Sequence, residues 1–143
     1  ITKKYPHKLQ TDILRDLIAS TPNGEGKWFA AAKDAGFFDM AIELASRSPT
    51  DPRTLIRAAR DFAVDHPDFA FASGLAALRW ISFGHGYEIT GMDILDAYNA
   101  VMAAAPGAGV DVQQAKEQIR RMISGPQTSN LLVKKILGNH LSS

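Results

Sequence analysis

Arg53, Arg57 and Arg60 fall at i, i+4 and i+7, the spacing that sets side chains on one face of an α-helix. Guanidinium groups arranged this way can grip carboxylates or other anions in two-pronged fashion, because the planar pair of N–H groups matches the geometry of an oxyanion. A solvated helix face reads the same way. Asp61 stands four residues after Arg57, and Asp65 lies within reach of Arg60, so part of the charge can be neutralised locally. These three arginines are the candidate binding residues of the chain.

Two other groups bear on chemistry. Arg120, Arg121, Lys134 and Lys135 belong to two successive helical segments joined by Ser124-Gly125-Pro126-Gln127. Such a hairpin can act as a helix-turn-helix, with Thr128, Ser129 and Asn130 at the tip of the second helix, and it carries the nucleic-acid-binding alternative. Any helical hairpin with basic residues outside shares the pattern. The second group, His85, Glu88, Asp93 and Asp96, surrounds a Gly84-His85-Gly86 turn. An acid–base pair there needs convergence in a pocket with matched pKa values. Asp93 and Asp96 also fall in the first turn of a helix, where the dipole favours negative charge, and that structural reading is preferred. A pocket near His85, Glu88 and Asp93 is the enzymatic alternative.

The remaining catalytic and metal signatures are missing from the sequence. His7, His66, His85 and His140 include no pair at helical spacing, so no HExxH-type metal site is expected. Gly84-x-Gly86 lacks the strand and third glycine of a dinucleotide fingerprint and reads as a linker. Cysteine is absent, which excludes disulfides, thiolate metal sites and cysteine nucleophiles. No cofactor is expected. Trp28, Phe29, Phe37 and Tyr87 read as core residues or turn plugs, with a groove lining as the other use of such rings.

The elements that must position these residues are punctuated by Pro and Gly. Helical periodicity is expected over residues 7–20, 26–35, 38–47, 52–63, 67–83, 91–105, 111–124 and 129–141. Asp51, Thr90, Asp111 and Ser129 stand where N-caps belong, and Pro52 suits a first helical position. Leu55, Ile56, Ala59, Phe62 and Ala63 mark one buried face. The segment 67–83 is apolar nearly all round and should sit at the centre. Met92, Leu95, Tyr98 and Met102 are expected inward on the next helix. Val112, Ala115, Ile119 and Met122 or Ile123 follow on the one after, and Leu132, Ile136 and Leu137 on the last.

The 143 residues suit one domain, 1–143, with 45% hydrophobic and 22% charged residues. The net charge of +1 gives no global pull toward nucleic acid or anionic membranes. No apolar run approaches the roughly 20 residues of a membrane span. No apolar stretch follows the N-terminal lysines as it would in a signal peptide. The cytoplasm is the expected compartment, with no membrane partner.

An internal repeat is visible. Ala35-Gly36-Phe37-Phe38-Asp39-Met40-Ala41 aligns without gaps over His66-Pro67-Asp68-Phe69-Ala70-Phe71-Ala72, with Leu44-Ala45 over Leu75-Ala76 beyond. In each, a breaker is followed two residues later by an aromatic and three further on by alanine, the pattern of a turned helix pair. Gly36, Phe38 and Ala41 resemble the turn of a tetratricopeptide repeat, over about one and a half repeats. Ala45 and Pro52 depart from that family's pattern. The resemblance implies an all-α, right-handed stack of antiparallel helix pairs, about seven or eight helices in all. Pairs are expected over 26–47, 52–83 and 90–124, with the last helix as a cap. The first helix is then left without a partner, and the chain is expected to be the C-terminal piece of a longer helical-repeat protein. The expected function is a non-enzymatic protein-interaction module that holds a peptide or partner protein on a concave helical surface.

Overall fold

A computed structural model of the chain describes residues 28–86, 88–124 and 131–141. Every regular element among these residues is an α-helix, and no strand forms. The helices are α1 (Phe29–Asp34), α2 (Phe38–Arg47), α3 (Pro52–Phe62), α4 (Pro67–Ser82), α5 (Gly91–Ala104), α6 (Val112–Ile123) and α7 (Leu131–Leu141). The all-α expectation holds. The helix expected over 7–20, His7, Tyr87 and the Thr128–Asn130 tip with its Ser129 cap lie outside the described residues. The chain divides into two compact units, Ile1–Pro49 and Thr50–Ser143.

In the first unit α1 and α2 pack on each other. Gly36 ends α1 in the left-handed region, at φ 83°. Its N–H bonds to the Lys33 carbonyl at 3.0 Å, and the Phe37 N–H reaches the Ala32 carbonyl at 2.9 Å. This is a Schellman motif, which satisfies the last carbonyls of α1 and reverses the chain. Phe29 and Phe37 are buried, as core residues should be.

In the second unit α4 is the centre, packed against α3, α5, α6 and α7. Its buried residues, among them Phe69, Phe71, Leu78, Trp80 and Ile81, cover most of its circumference. Phe62 at the end of α3 meets Phe69 at the start of α4 edge to face, with ring centroids 5.4 Å apart, and this contact closes the turn between two helices that pack on each other. α6 packs chiefly on α4 and α7, and the expected α5–α6 pair meets only lightly. The aligned stretches also enter their helices at different points. Phe38 opens α2, whereas Phe69, its counterpart, is the third residue of α4.

Three helix starts were legible with one change. Thr90 and Asp111 both cap their helices in reciprocal boxes, with Asp93 and Gln114 returning the bond to the cap residue's N–H. Asp51 makes no side-chain bond to a backbone N–H of α3 and accepts from the Thr54 hydroxyl at 3.0 Å instead. Pro52 starts that helix by its fixed φ, and its missing N–H is one the first turn would leave unpaired.

The inward face of α5 differs from expectation. Ile94, Ala97, Tyr98, Val101 and Ala104 are buried, while Leu95 and Met102 are half-buried and Met92 is 67% exposed. This helix is apolar on several sides, so more than one stripe satisfies the helical period. On α6, Ala115, Ile119 and Ile123 are buried, and Val112 is exposed. On α7, Val133, Leu137 and Leu141 form the buried stripe, with Leu132 and Ile136 half-buried.

Candidate functional site

Arg53 ties the first turn of α3 to the first turn of α5. Its Nη2 donates to Asp93 Oδ2 at 3.0 Å and its Nε to Oδ1 at 3.4 Å. Nη2 also donates to the Glu88 carbonyl at 2.8 Å. Toward their other ends the same two helices flank a cleft of about 260 Å³, reaching Ala63 just past α3 and Ala103 on α5. Start therefore lies beside start and end beside end. α3 and α5 run parallel.

The cleft has an apolar floor and a polar rim. Ile56 and Ala59 are buried at its base, with Ala63 and Ala100 half-buried above them. Arg60 stands exposed on the α3 side, and Asp96, Asn99 and Ala103 on the α5 side. A second, more polar cleft of about 150 Å³ is lined by Arg53, Arg57, Arg60, Asp93 and Asp96. Both clefts share Ile56, Arg60 and Asp96, so they form one groove along the α3–α5 seam.

All three arginines line this groove, but they have different employment. Arg53 is engaged structurally. Arg57 does not pair with Asp61 as expected; that carboxylate lies 4.0 Å from Arg60, both side chains being well exposed. Among the described residues Arg57 and Asp96 have no hydrogen-bond or ion-pair partner. The groove therefore presents an available cation on one wall and an available carboxylate on the other.

Asp93 is held in its charged form. Burial alone would push its carboxyl up, but the Thr90 N–H, the Arg53 guanidinium and the Thr90 hydroxyl together bring it below the ordinary carboxylate value. The Thr90 N–H and hydroxyl lie 2.9 and 3.1 Å from Oδ2. The helix-start reading of Asp93 was correct, and its partner across the groove was not legible.

His85 and Glu88 are exposed and do not converge with Asp93 into a buried set. His85 instead serves the end of α4. Gly84, at φ 89°, donates to the Ile81 carbonyl, and the His85 N–H reaches the Trp80 carbonyl at 2.9 Å. The His85 ring then packs on Trp80 with centroids 5.4 Å apart, the side-chain contact that accompanies a Schellman turn. His66 lies against Phe62 and His140 against Tyr98. Among the described residues no group of three His, Asp or Glu side chains is placed to hold a metal ion.

The C-terminal basic residues are only partly available. Arg120 and Arg121 both turn to Glu117, Arg121 at 3.2 Å. Arg120 also donates to the Leu141 carbonyl, satisfying the C-terminal end of α7 with a cation. Lys134 and Lys135 are exposed. Arg120 and Lys134 line a cleft of about 360 Å³ with Ser124 and Gly138.

Of the α5 wall of the groove, Asp96 stands in the acidic cluster read from the sequence, whereas Asn99, Ala100 and Ala103 were not singled out. Their signal was present. Asp96, Asn99 and Ala103 repeat at i, i+3 and i+7, the stripe left over once Ile94, Ala97, Tyr98 and Val101 are taken as the core face. No helix among the described residues is long and apolar enough to cross a membrane. Comparison of the chain with known protein families, with curated proteins and with solved structures returns no match.

Proposed function

We propose that this chain is a protein-interaction module that holds a segment of another protein in the α3–α5 groove. One observation carries the reading. Two parallel helices leave between them an apolar floor with Arg57 and Asp96, both unpaired among the described residues, on opposite walls. An apolar cleft with a few polar groups at its rim is the usual form of a recognition site. The packing of α3 on α5 and α5 on α7, with α4 on α6, supports a stack of helix pairs of the tetratricopeptide-like kind, in which alternate helices lie side by side.

Affinity capture with the wild-type chain, Ala103→Leu and Arg57→Glu/Arg60→Glu side by side tests this reading. These positions are exposed, so the substitutions leave the core intact. A partner retained by the wild type and lost by both variants supports the groove. Partners retained equally by all three reject it.

A second reading, nucleic-acid binding through the C-terminal hairpin, draws on the exposed Lys134 and Lys135, the first of which lines a cleft with Arg120. It requires affinity that falls steeply with salt. A gel shift at low salt with no retarded species removes it.

A further inference from the structure

Arg53 is paired with Asp93 and Arg60 with Asp61, so the charges left to act in the groove are Arg57 on the α3 wall and Asp96 on the α5 wall. These two balance, and no net charge selects an acidic or a basic occupant. What the groove carries is a pattern, a cation on one side and a carboxylate on the other. The two stand at one height. Arg57 lies four residues beyond Arg53 on α3 and Asp96 three beyond Asp93 on α5, about one turn in each from the pair that ties the helix starts.

Exposed apolar residues fall on the same two walls. Among the described residues Val64, at 89%, and Met92, at 67%, are the most exposed large apolar side chains. Val64 stands seven residues after Arg57, in a turn that continues α3 through the bond from the His66 N–H to the Phe62 carbonyl at 2.9 Å. Met92 stands four residues before Asp96 and seven before Asn99 on α5. Helical period sets each of them on the strip of its own wall. Val64 and Met92 therefore prolong the apolar surface at opposite ends of the groove, and apolar surface rimmed by polar groups marks a contact with protein.

Resting on the interaction reading, we propose that the protein held in this groove is a second copy of this chain. Because α3 and α5 are parallel, a two-fold axis along their seam lays α3 on α5 of the second copy without a change of height. Arg57 of each copy then meets Asp96 of the other, and the two-fold makes the contact twice. Arg60 comes opposite Asn99, whose amide oxygen accepts from a guanidinium, and Val64 comes opposite Ala103. The other face-to-face two-fold, across the helices, lays α3 on its own copy and sets Arg57 and Arg60 cation against cation. Charge thus chooses the first arrangement, in which the α3–α5 surface is its own complement. Each strip spans about three helical turns, the extent of a small, reversible interface.

Sedimentation velocity on the full chain, from micromolar concentration upward, is the test. The samples are the wild type, Arg57→Glu, Asp96→Arg and an equimolar mixture of the two variants, one of them carrying a fluorophore. The expected wild type is a reversible dimer. Arg57→Glu alone sets carboxylate against carboxylate at both contacts, and Asp96→Arg alone sets guanidinium against guanidinium. Self-association of each should weaken roughly tenfold or more. In the mixture the new glutamate meets the new arginine and Arg57 meets Asp96, so a mixed dimer of about wild-type strength is expected. Because mixing repairs the loss, misfolding of a variant cannot mimic this result. A wild type that stays monomeric at every concentration overturns the self-pairing, and so does a dimer that both variants leave intact or that mixing fails to restore. None of these outcomes rejects the groove as a site for a different protein. That rejection shows separately, as equal retention of partners by all three chains in the affinity capture.

Discussion

Arg53 and Asp93, forty residues apart in sequence, join the starts of α3 and α5 through two guanidinium–carboxylate hydrogen bonds. The same carboxylate closes the capping box of α5 through Thr90. One side chain thus begins a helix and sets where that helix stands against its parallel neighbour. The pair is partly shielded, with side-chain exposures of 41% for Arg53 and 18% for Asp93.

A double-mutant cycle measures this link. Asp93→Ala removes both a cap bond and the ion pair, and is expected to cost about 1–2 kcal/mol in urea unfolding. Arg53→Ala is expected to cost about 1 kcal/mol or less, since a half-exposed pair is screened by solvent. The coupling between them should be about 0.5–1 kcal/mol. A coupling indistinguishable from zero removes the pair as a link between the helices.

The lowered Asp93 pKa has a pH consequence with a definite sign. A carboxylate favoured in the folded state contributes stability that is fully present above the unfolded-state value, here near 3.8, and is lost as pH falls through the lower folded value. Asp93→Asn should therefore reduce stability at neutral pH and flatten the acid limb of the stability curve. Urea midpoints across the acid range check this. An acid limb unchanged by the substitution contradicts the role assigned to Asp93.

Ser73 presents the opposite case. It is fully buried in α4, and its Oγ has no hydrogen-bond partner among the described residues. A buried, unsatisfied hydroxyl costs free energy that an apolar group of similar size does not. Ser73→Ala is expected to raise stability by up to about 1 kcal/mol, also helped by alanine's helix propensity. Thermal unfolding that shows marked destabilisation would reveal a bond the hydroxyl makes.

Gly74, the next residue, should respond in the other direction. A Cβ there would come within 2.7 Å of Val101 Cγ2 and 3.4 Å of the Val101 backbone nitrogen, so α4 and α5 approach each other at this point. Alanine is the better helix former by about 1 kcal/mol. The clash in a packed seam costs about 1–3 kcal/mol, so Gly74→Ala is expected to destabilise on balance. A rise in melting temperature would show that the seam can relax.

What was legible in the chain is local. Gly36 and Gly84 end helices, Pro52 and Pro67 begin them, and Thr90 and Asp111 cap them, because each of these acts on backbone groups within one turn. The central place of α4 was also visible, since a helix apolar all round has to be covered on several sides. The candidate site was half legible. Arg53, Arg57 and Arg60 line one cleft, but the pairing of Arg53 with Asp93 was not visible in their spacing.

Tertiary structure alone decided the rest. Met92 and Ile94 compete for the inward face of α5, and the stripe that is buried carries Ile94 together with Val101, which packs against Gly74 of α4. That choice turns Asp96, Asn99 and Ala103 toward α3 and makes a groove. It also brings Asp93 to Arg53 and leaves Arg57 and Arg60 lining the groove beside that pair. The physical reason is range. Helical period and caps are written in neighbouring residues, whereas the partner of a helix face is set by packing between segments far apart in the chain, where several stripes have nearly equal apolar content.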